Sequence, residues 1–165
     1  MRKALRQHAD HGVRLIVKQE IFAAPFLGLA VRSSGQIPLD RENPRKGLRS
    51  IKKAAELIRR GVSIVVFPEG TRSRDGKVHE FKSTLFVLPI RTRTPVVPVL
   101  IEGTFEALRP GKVLFNARPM KLTFLSPVAA DFRSDKERAL YAEKVRQALI
   151  GFEEDPAPKA RAASL

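Results

Sequence analysis

Val62-Ser-Ile-Val-Val-Phe67 runs without a break into Pro68-Glu-Gly-Thr-Arg-Ser-Arg-Asp-Gly76. The first six residues are nearly all apolar and β-branched, the pattern of a strand covered on both faces. The stretch after Phe67 is polar, with Pro68, Gly70 and Gly76 as turn residues, so a buried strand delivers a tight loop to the C-terminal edge of a sheet. Upstream, Gly61 stops a helix that Asn43 opens as N-cap, with Pro44 at the first helical position. Leu48, Ile51, Ala55 and Ile58 recur at spacings of three and four along it, leaving Arg49, Lys52, Lys53 and Arg60 outward. Earlier still, residues 13–18 read as a short strand, 21–31 as a short helix or a hydrophobic loop, and 36–41 as another short extended piece. A helix between buried strands predicts an α/β fold.

Downstream of the loop, 95–101 reads as a second buried strand in which Pro98 marks an edge or a bulge. Residues 112–115 and 120–125 read as two antiparallel edge strands joined by 116–119. Ser134 with Glu137 forms a capping box that opens a last helix, whose apolar face runs through Tyr141, Val145, Ala148 and Phe152. Residues 1–152 are expected as a single domain and 153–165 as a disordered tail.

Composition narrows the chemistry. With 165 residues, 43% hydrophobic and 29% charged, the chain fits one ordinary globular domain. The absence of cysteine removes disulfides, thiol nucleophiles and Cys-based metal sites, and suits a cytoplasmic setting. His8, His11 and His79 are too few and too scattered for a zinc site, so no metal is expected. The net charge is +14, and residues 1–60 carry 14 basic against 5 acidic groups, which asks for an anionic partner. One Tyr and no Trp leave few platforms for stacking bases, which argues against nucleic acid. The apolar run 21–31 is far short of the ~20 residues of a membrane span and is interrupted by Pro25 and Gly28. Together with the basic charge it suggests peripheral attachment to an anionic membrane, at its cytoplasmic face.

The loop fails two motif tests. Five residues separate Gly70 from Gly76 where a P-loop needs four, and Val78 stands where a Mg²⁺-binding Ser or Thr belongs. No Gly-x-Ser-x-Gly elbow occurs in the chain. On local physics, Gly70 lets backbone N–H groups approach an anion, Thr71 offers a hydroxyl and Arg72 a planar fork for phosphate. Glu69 would orient Arg72 or accept from a substrate hydroxyl. A solvated strand-to-helix loop explains the same residues.

The whole string decides between these. Phe67-Pro-Glu-Gly-Thr-Arg-Ser-Arg-Asp-Gly76 resembles the signature block of the glycerolipid acyltransferases, the family typified by 1-acylglycerol-3-phosphate acyltransferase. Gly35-Gln-Ile-Pro-Leu-Asp-Arg41 is similar to that family's second block, which ends in a phosphate-contacting arginine. Thr94-Pro-Val-Val-Pro-Val99, continued by Ile101-Glu-Gly-Thr104, is similar to its fourth. Val17-Lys18-Gln-Glu-Ile-Phe22 and Pro25-Phe-Leu-Gly28 resemble the stretch before the second block, so the likeness covers about residues 13–126.

The resemblance implies a mixed, largely parallel sheet flanked by helices, the glycerol-3-phosphate acyltransferase-like fold. It implies transfer of a fatty acyl group from acyl-CoA or acyl-carrier protein to the free hydroxyl of a lysophospholipid, above all lysophosphatidic acid, with no cofactor beyond the donor. Carried over residue by residue, Arg41 contacts the acceptor phosphate, Glu69, Gly70, Thr71 and Arg72 bind its glycerol phosphate end, and Lys18 adds positive charge. Phe22, Phe26 and Leu27 would either line an acyl channel or be ordinary core.

Two positions depart from the family. Its catalytic base is the His of a His-x-x-x-x-Asp motif, yet the residues five after His8, His11 and His79 are Val13, Ile16 and Thr84. No catalytic residue is therefore assigned: the chain is expected to begin after its own base and to be inactive alone. A catalytically dead relative that binds lipid phosphate and a basic nucleic-acid-binding protein are the other readings. Thr84 also stands at a family glycine, which costs little only if its φ is negative.

Overall fold

Three short parallel strands organise the first half of the chain. The computed structural model describes residues 12–40, 43–108 and 116–154. The chain falls into two units, Met1–Phe67 and Pro68–Leu165. In the first, β1 (Val13–Lys18) lies between β2 (Ile37–Leu39) and β3 (Ser63–Val65), with Lys18 opposite Leu39 and Val13 opposite Ser63. Parallel neighbours need crossovers. A 3₁₀ turn at Gln19–Ala23 and α1 (Leu27–Ser33) return the chain from β1 to β2, and α2 (Pro44–Arg59) returns it from β2 to β3. Helix and turn approach closely: Gly28 N–H donates to the Ala24 carbonyl at 2.8 Å, and a Cβ on Gly28 would collide with the Phe22 carbonyl. The expected helix or loop at 21–31 is thus a 3₁₀ turn followed by a helix.

Asn43 caps α2 as expected, its side-chain oxygen accepting from the N–H groups of Arg45 and Lys46 at 3.1 Å. The expected face of α2 is covered except at its start, with Ala55 buried and Ile51 and Ile58 half-buried. Ala54 is buried as well, while Leu48 is exposed. The helix lies close enough to β2 for the Ser50 hydroxyl to donate to the Pro38 carbonyl at 2.5 Å.

The strand at 62–67 is shorter and wetter than its composition predicts. Only Ser63–Val65 pair, and exposure alternates so that Val65 and Phe67 are exposed while Val62 is buried. The reason is layering. β3 pairs with β1 along one edge and α2 packs on it, so only one face is covered within this unit.

The second unit packs a helical layer on an antiparallel ribbon. β4 (Val99–Glu102) pairs with β5 (Lys121–Phe124), Val99 opposite Phe124. The register then slips by one residue to a Val96–Val128 bridge, and Pro98, which lacks an N–H, accepts from Leu125 at 2.9 Å. The proline thus marks a bulge. The strand is not buried as expected: of β4 only Leu100 is buried, because the ribbon has one covered face. The expected strand at 112–115 lies outside the described residues, and β5 takes β4 as its partner.

The capping box is present at Ser134 and Glu137, ahead of α5 (Arg138–Glu154). Tyr141, Ala142, Val145 and Leu149 of α5 join Phe86 and Leu100 in the core, with Phe152 packed half-buried against it; Ala148 is half-buried. Phe86 meets the Tyr141 ring edge-on at 5.7 Å, and the Tyr141 hydroxyl donates to the Val128 carbonyl at 2.9 Å. The segment at 83–92, without an assignment in the sequence, is a 3₁₀ turn (Ser83–Phe86) and α3 (Val87–Thr92), while α4 (Thr104–Ala107) is a single turn after β4. Among the described residues only Phe26 and Arg93 are non-glycines at positive φ, so Thr84 sits without strain at the family's glycine position. α5 reaches Glu154, two residues into the expected tail; residues 155–165 lie outside the described ones.

Candidate functional site

Parallel strands end along one edge, and in the first unit that edge carries Lys18 opposite Leu39. Lys18 is exposed, and its ammonium has no hydrogen-bond or ion-pair partner among the described residues. The carboxylate of Asp40, next after β2, accepts from the Asn43 N–H at 2.9 Å and lies 3.6 Å from the Lys46 ammonium. It ties the exit of β2 to the entrance of α2. Arg41, the expected phosphate contact, sits between these anchors in sequence but outside the described residues, as do His8 and His11.

The second unit begins with the signature loop. The Lys82 N–H donates to the Pro68 carbonyl at 2.9 Å and closes the loop at its base. Gly70 has φ +73°, a conformation that L side chains resist, so the turn between Glu69 and Thr71 needs a glycine. Thr71 and Arg72 are exposed. The Thr71 hydroxyl donates to the Arg72 carbonyl at 3.3 Å, while the Arg72 guanidinium has no partner among the described residues. A planar fork held at a turn with nothing internal to bind is free to take a phosphate through two parallel hydrogen bonds.

Glu69 does not orient Arg72. It is half-buried, and its Oε2 accepts from the His79 backbone N–H at 3.4 Å. Beyond the turn, Asp75 collects three donors on one oxygen: the Lys77 N–H at 3.1 Å, the His79 Nε2 at 2.7 Å and the Ser73 hydroxyl at 3.0 Å. Those bonds, led by the Lys77 N–H, hold its carboxyl down to about 2. The Asp75–His79 pair escapes a search for an acid after each histidine, because here the acid precedes it by four residues. Spacing in the sequence carried that signal in reverse order.

Of the three apolar candidates, Phe22 is buried, but Phe26 is 91% exposed and Leu27 55%. Phe26 and Leu27 are therefore not core. Leu29 is exposed as well, at 73%. No helix among the described residues is long and apolar enough to cross a membrane.

The family model Acyltransferase matches residues 1–102. A chloroplastic 1-acyl-sn-glycerol-3-phosphate acyltransferase of Brassica napus is 34% identical over 136 residues, covering 80% of this chain and 40% of the relative. The 1-acyl-sn-glycerol-3-phosphate acyltransferase of Limnanthes douglasii is 36% identical over 119 residues, covering 70% of this chain and 42% of the relative. The crystal structure of the 1-acyl-sn-glycerophosphate (LPA) acyltransferase PlsC from Thermotoga maritima matches with a TM-score of 0.66 and 30% identity, covering 88% of this chain and 58% of that one. The chain thus spans less than half the length of these two plant relatives. Its signature loop, its parallel αβ unit and these matches make one assignment: the chain belongs to the acyltransferase family.

Proposed function

We propose that this chain receives the phosphate of a lysophospholipid, above all lysophosphatidic acid, at the Gly70 turn, as the acceptor-binding part of an acyl transfer that yields phosphatidic acid. The observation that carries this reading is the exposed Arg72 guanidinium, without a partner among the described residues, on a turn set by the positive φ of Gly70. On the family resemblance alone, Arg41 and Lys18 are proposed as further phosphate-contacting residues. In the reaction the acceptor hydroxyl attacks the thioester carbonyl of acyl-CoA or acyl-carrier protein, loses its proton to a base, and the thiol leaves. The sequence holds no His-x-x-x-x-Asp to serve as that base, and general base catalysis supplies about 10²–10⁴-fold. The chain alone therefore binds the acceptor and turns nothing over; acyl transfer by the purified chain overturns that half of the reading.

Binding is tested by calorimetric titration of glycerol 3-phosphate and of lysophosphatidic acid. A charge-assisted bond contributes about 1.5–3 kcal/mol, so Arg72→Ala weakens binding roughly tenfold or more. Arg72→Lys also weakens it, since a point charge does not replace a fork. Arg74→Ala is the control, and equal losses at Arg72 and Arg74 reduce the effect to bulk charge.

The second partner we propose is the anionic membrane on which such an acceptor resides, at its cytoplasmic face. Phe26, Leu27 and Leu29 are exposed apolar side chains on a unit rich in Lys and Arg, a pairing suited to acyl chains beneath anionic headgroups.

A further inference from the structure

His79 makes three separate contacts, through its backbone N–H, its ring Nε2 and its backbone carbonyl. Its backbone N–H donates to Glu69 at 3.4 Å, its ring Nε2 meets Asp75 at 2.7 Å, and its carbonyl accepts from the Arg146 Nε at 3.0 Å. The three partners belong to three different places: the turn that carries Gly70 and Arg72, the acidic bend at Asp75, and helix α5. Arg146 is itself fixed, with its NH1 3.0 Å from Glu143, which in turn accepts from Gln147 at 2.6 Å. Asp75 adds the Ser73 hydroxyl and the Lys77 N–H to the same knot. A loop of more than a dozen residues closed only by Lys82 and Pro68 would sample many shapes.

We infer that His79 is the positioning residue of the signature loop: it ties Glu69, Asp75 and α5 together and so holds the Gly70 turn in the shape that presents Arg72 to an anion. His79 and Asp75 are each about half exposed, so the pair is not needed to fill a core. Its contribution is order in the loop rather than stability of the fold. The inference rests on the phosphate reading for its functional consequence and on hydrogen bonding alone for the clasp.

Two readouts keep these apart. The first is limited digestion with trypsin at Arg72, Arg74 and Lys77, which needs no ligand. The second is titration with glycerol 3-phosphate. His79→Leu and Asp75→Ala are expected to be cut in the loop about tenfold faster than wild type, with thermal midpoints unchanged. His79→Gln, whose side-chain amide stands near the position of Nε2, restores the wild-type rate. Glycerol 3-phosphate affinity falls in His79→Leu and returns in His79→Gln. If the wild type binds no glycerol 3-phosphate but the cleavage pattern holds, the clasp is supported and the anion site is not. Wild-type cleavage in both His79→Leu and Asp75→Ala overturns the inference, as does a His79→Gln that behaves like His79→Leu. Should His79→Leu fail to fold, Arg146→Ala releases the third tie and faces the same test.

Discussion

Replacing Phe26 by glycine should weaken membrane binding and strengthen the fold at once. Phe26 is 91% exposed and sits at φ +58°, ψ −54°. The Leu27 N–H donates to the Pro25 carbonyl at 2.5 Å, so Phe26 is the centre of a γ-turn of the rare positive-φ kind, strained for any residue with a Cβ. Holding a residue in such a conformation costs about 1–3 kcal/mol. Glycine relieves it but loses about 0.5–1 kcal/mol more backbone entropy on folding. The net gain is on the order of 1 kcal/mol, or roughly 2–4 °C in Tm for a chain of this size. On the other side, burying a whole Phe side chain contributes about 1.5–3 kcal/mol, and almost all of this one is available to a bilayer. Vesicle partitioning therefore drops roughly tenfold to a hundredfold. The assay is co-sedimentation with phosphatidylcholine vesicles, with and without phosphatidylglycerol, across a salt series, alongside thermal melts. Phe26→Ala separates the two effects: it keeps the Cβ and the strain, loses membrane affinity and gains no stability. Wild-type vesicle binding by both variants refutes the insertion. Equal wild-type binding to neutral vesicles at every salt concentration refutes its electrostatic part.

Tyr141 is fully buried, and burial pushes its phenol up so that it remains a donor. In urea denaturation, Tyr141→Phe loses one hydrogen bond and about 1 kcal/mol, whereas Tyr141→Ala opens the core of the second unit at about 3–5 kcal/mol. Acid acts on two carboxylates in different ways. The Asp135 carboxyl is lowered by its bonds from Arg91, so the pair stabilises the fold above the ordinary carboxylate value of about 3.9 and loses that effect as pH falls through the folded value. The thermal midpoint should fall below about pH 4, and less steeply in Asp135→Asn; an unchanged slope in that variant removes Asp135 from the account. The Asp75 carboxyl, held down to about 2, orders the loop alone, so the exchange protection of the Lys77 N–H should persist at pH 4 and fade only as pH approaches 2.

Local chemistry wrote the punctuation of this chain and the sequence alone sufficed to read it. Asn43 with Pro44, Ser134 with Glu137, the bulge at Pro98 and the strand at Val13–Lys18 depend on neighbours a few residues away, and the structure has them where the sequence implied. The family, too, was legible, because the order of its blocks is a linear property. Burial was not. The apolar string at 62–67 reads as doubly covered, yet Val65 and Phe67 are exposed, since how many layers lie on a strand is settled by elements distant in sequence. The apolar run at 21–31 likewise gives no hint that Phe22 is buried while Phe26 points out on a strained turn. The clasp of the signature loop is the clearest case. Arg146 lies 67 residues from His79, and only the packing of α5 in the second unit brings the guanidinium to that carbonyl. Hydrogen bonds act over about 3 Å, so a residue's partners are chosen by tertiary proximity and leave no periodic trace in the chain.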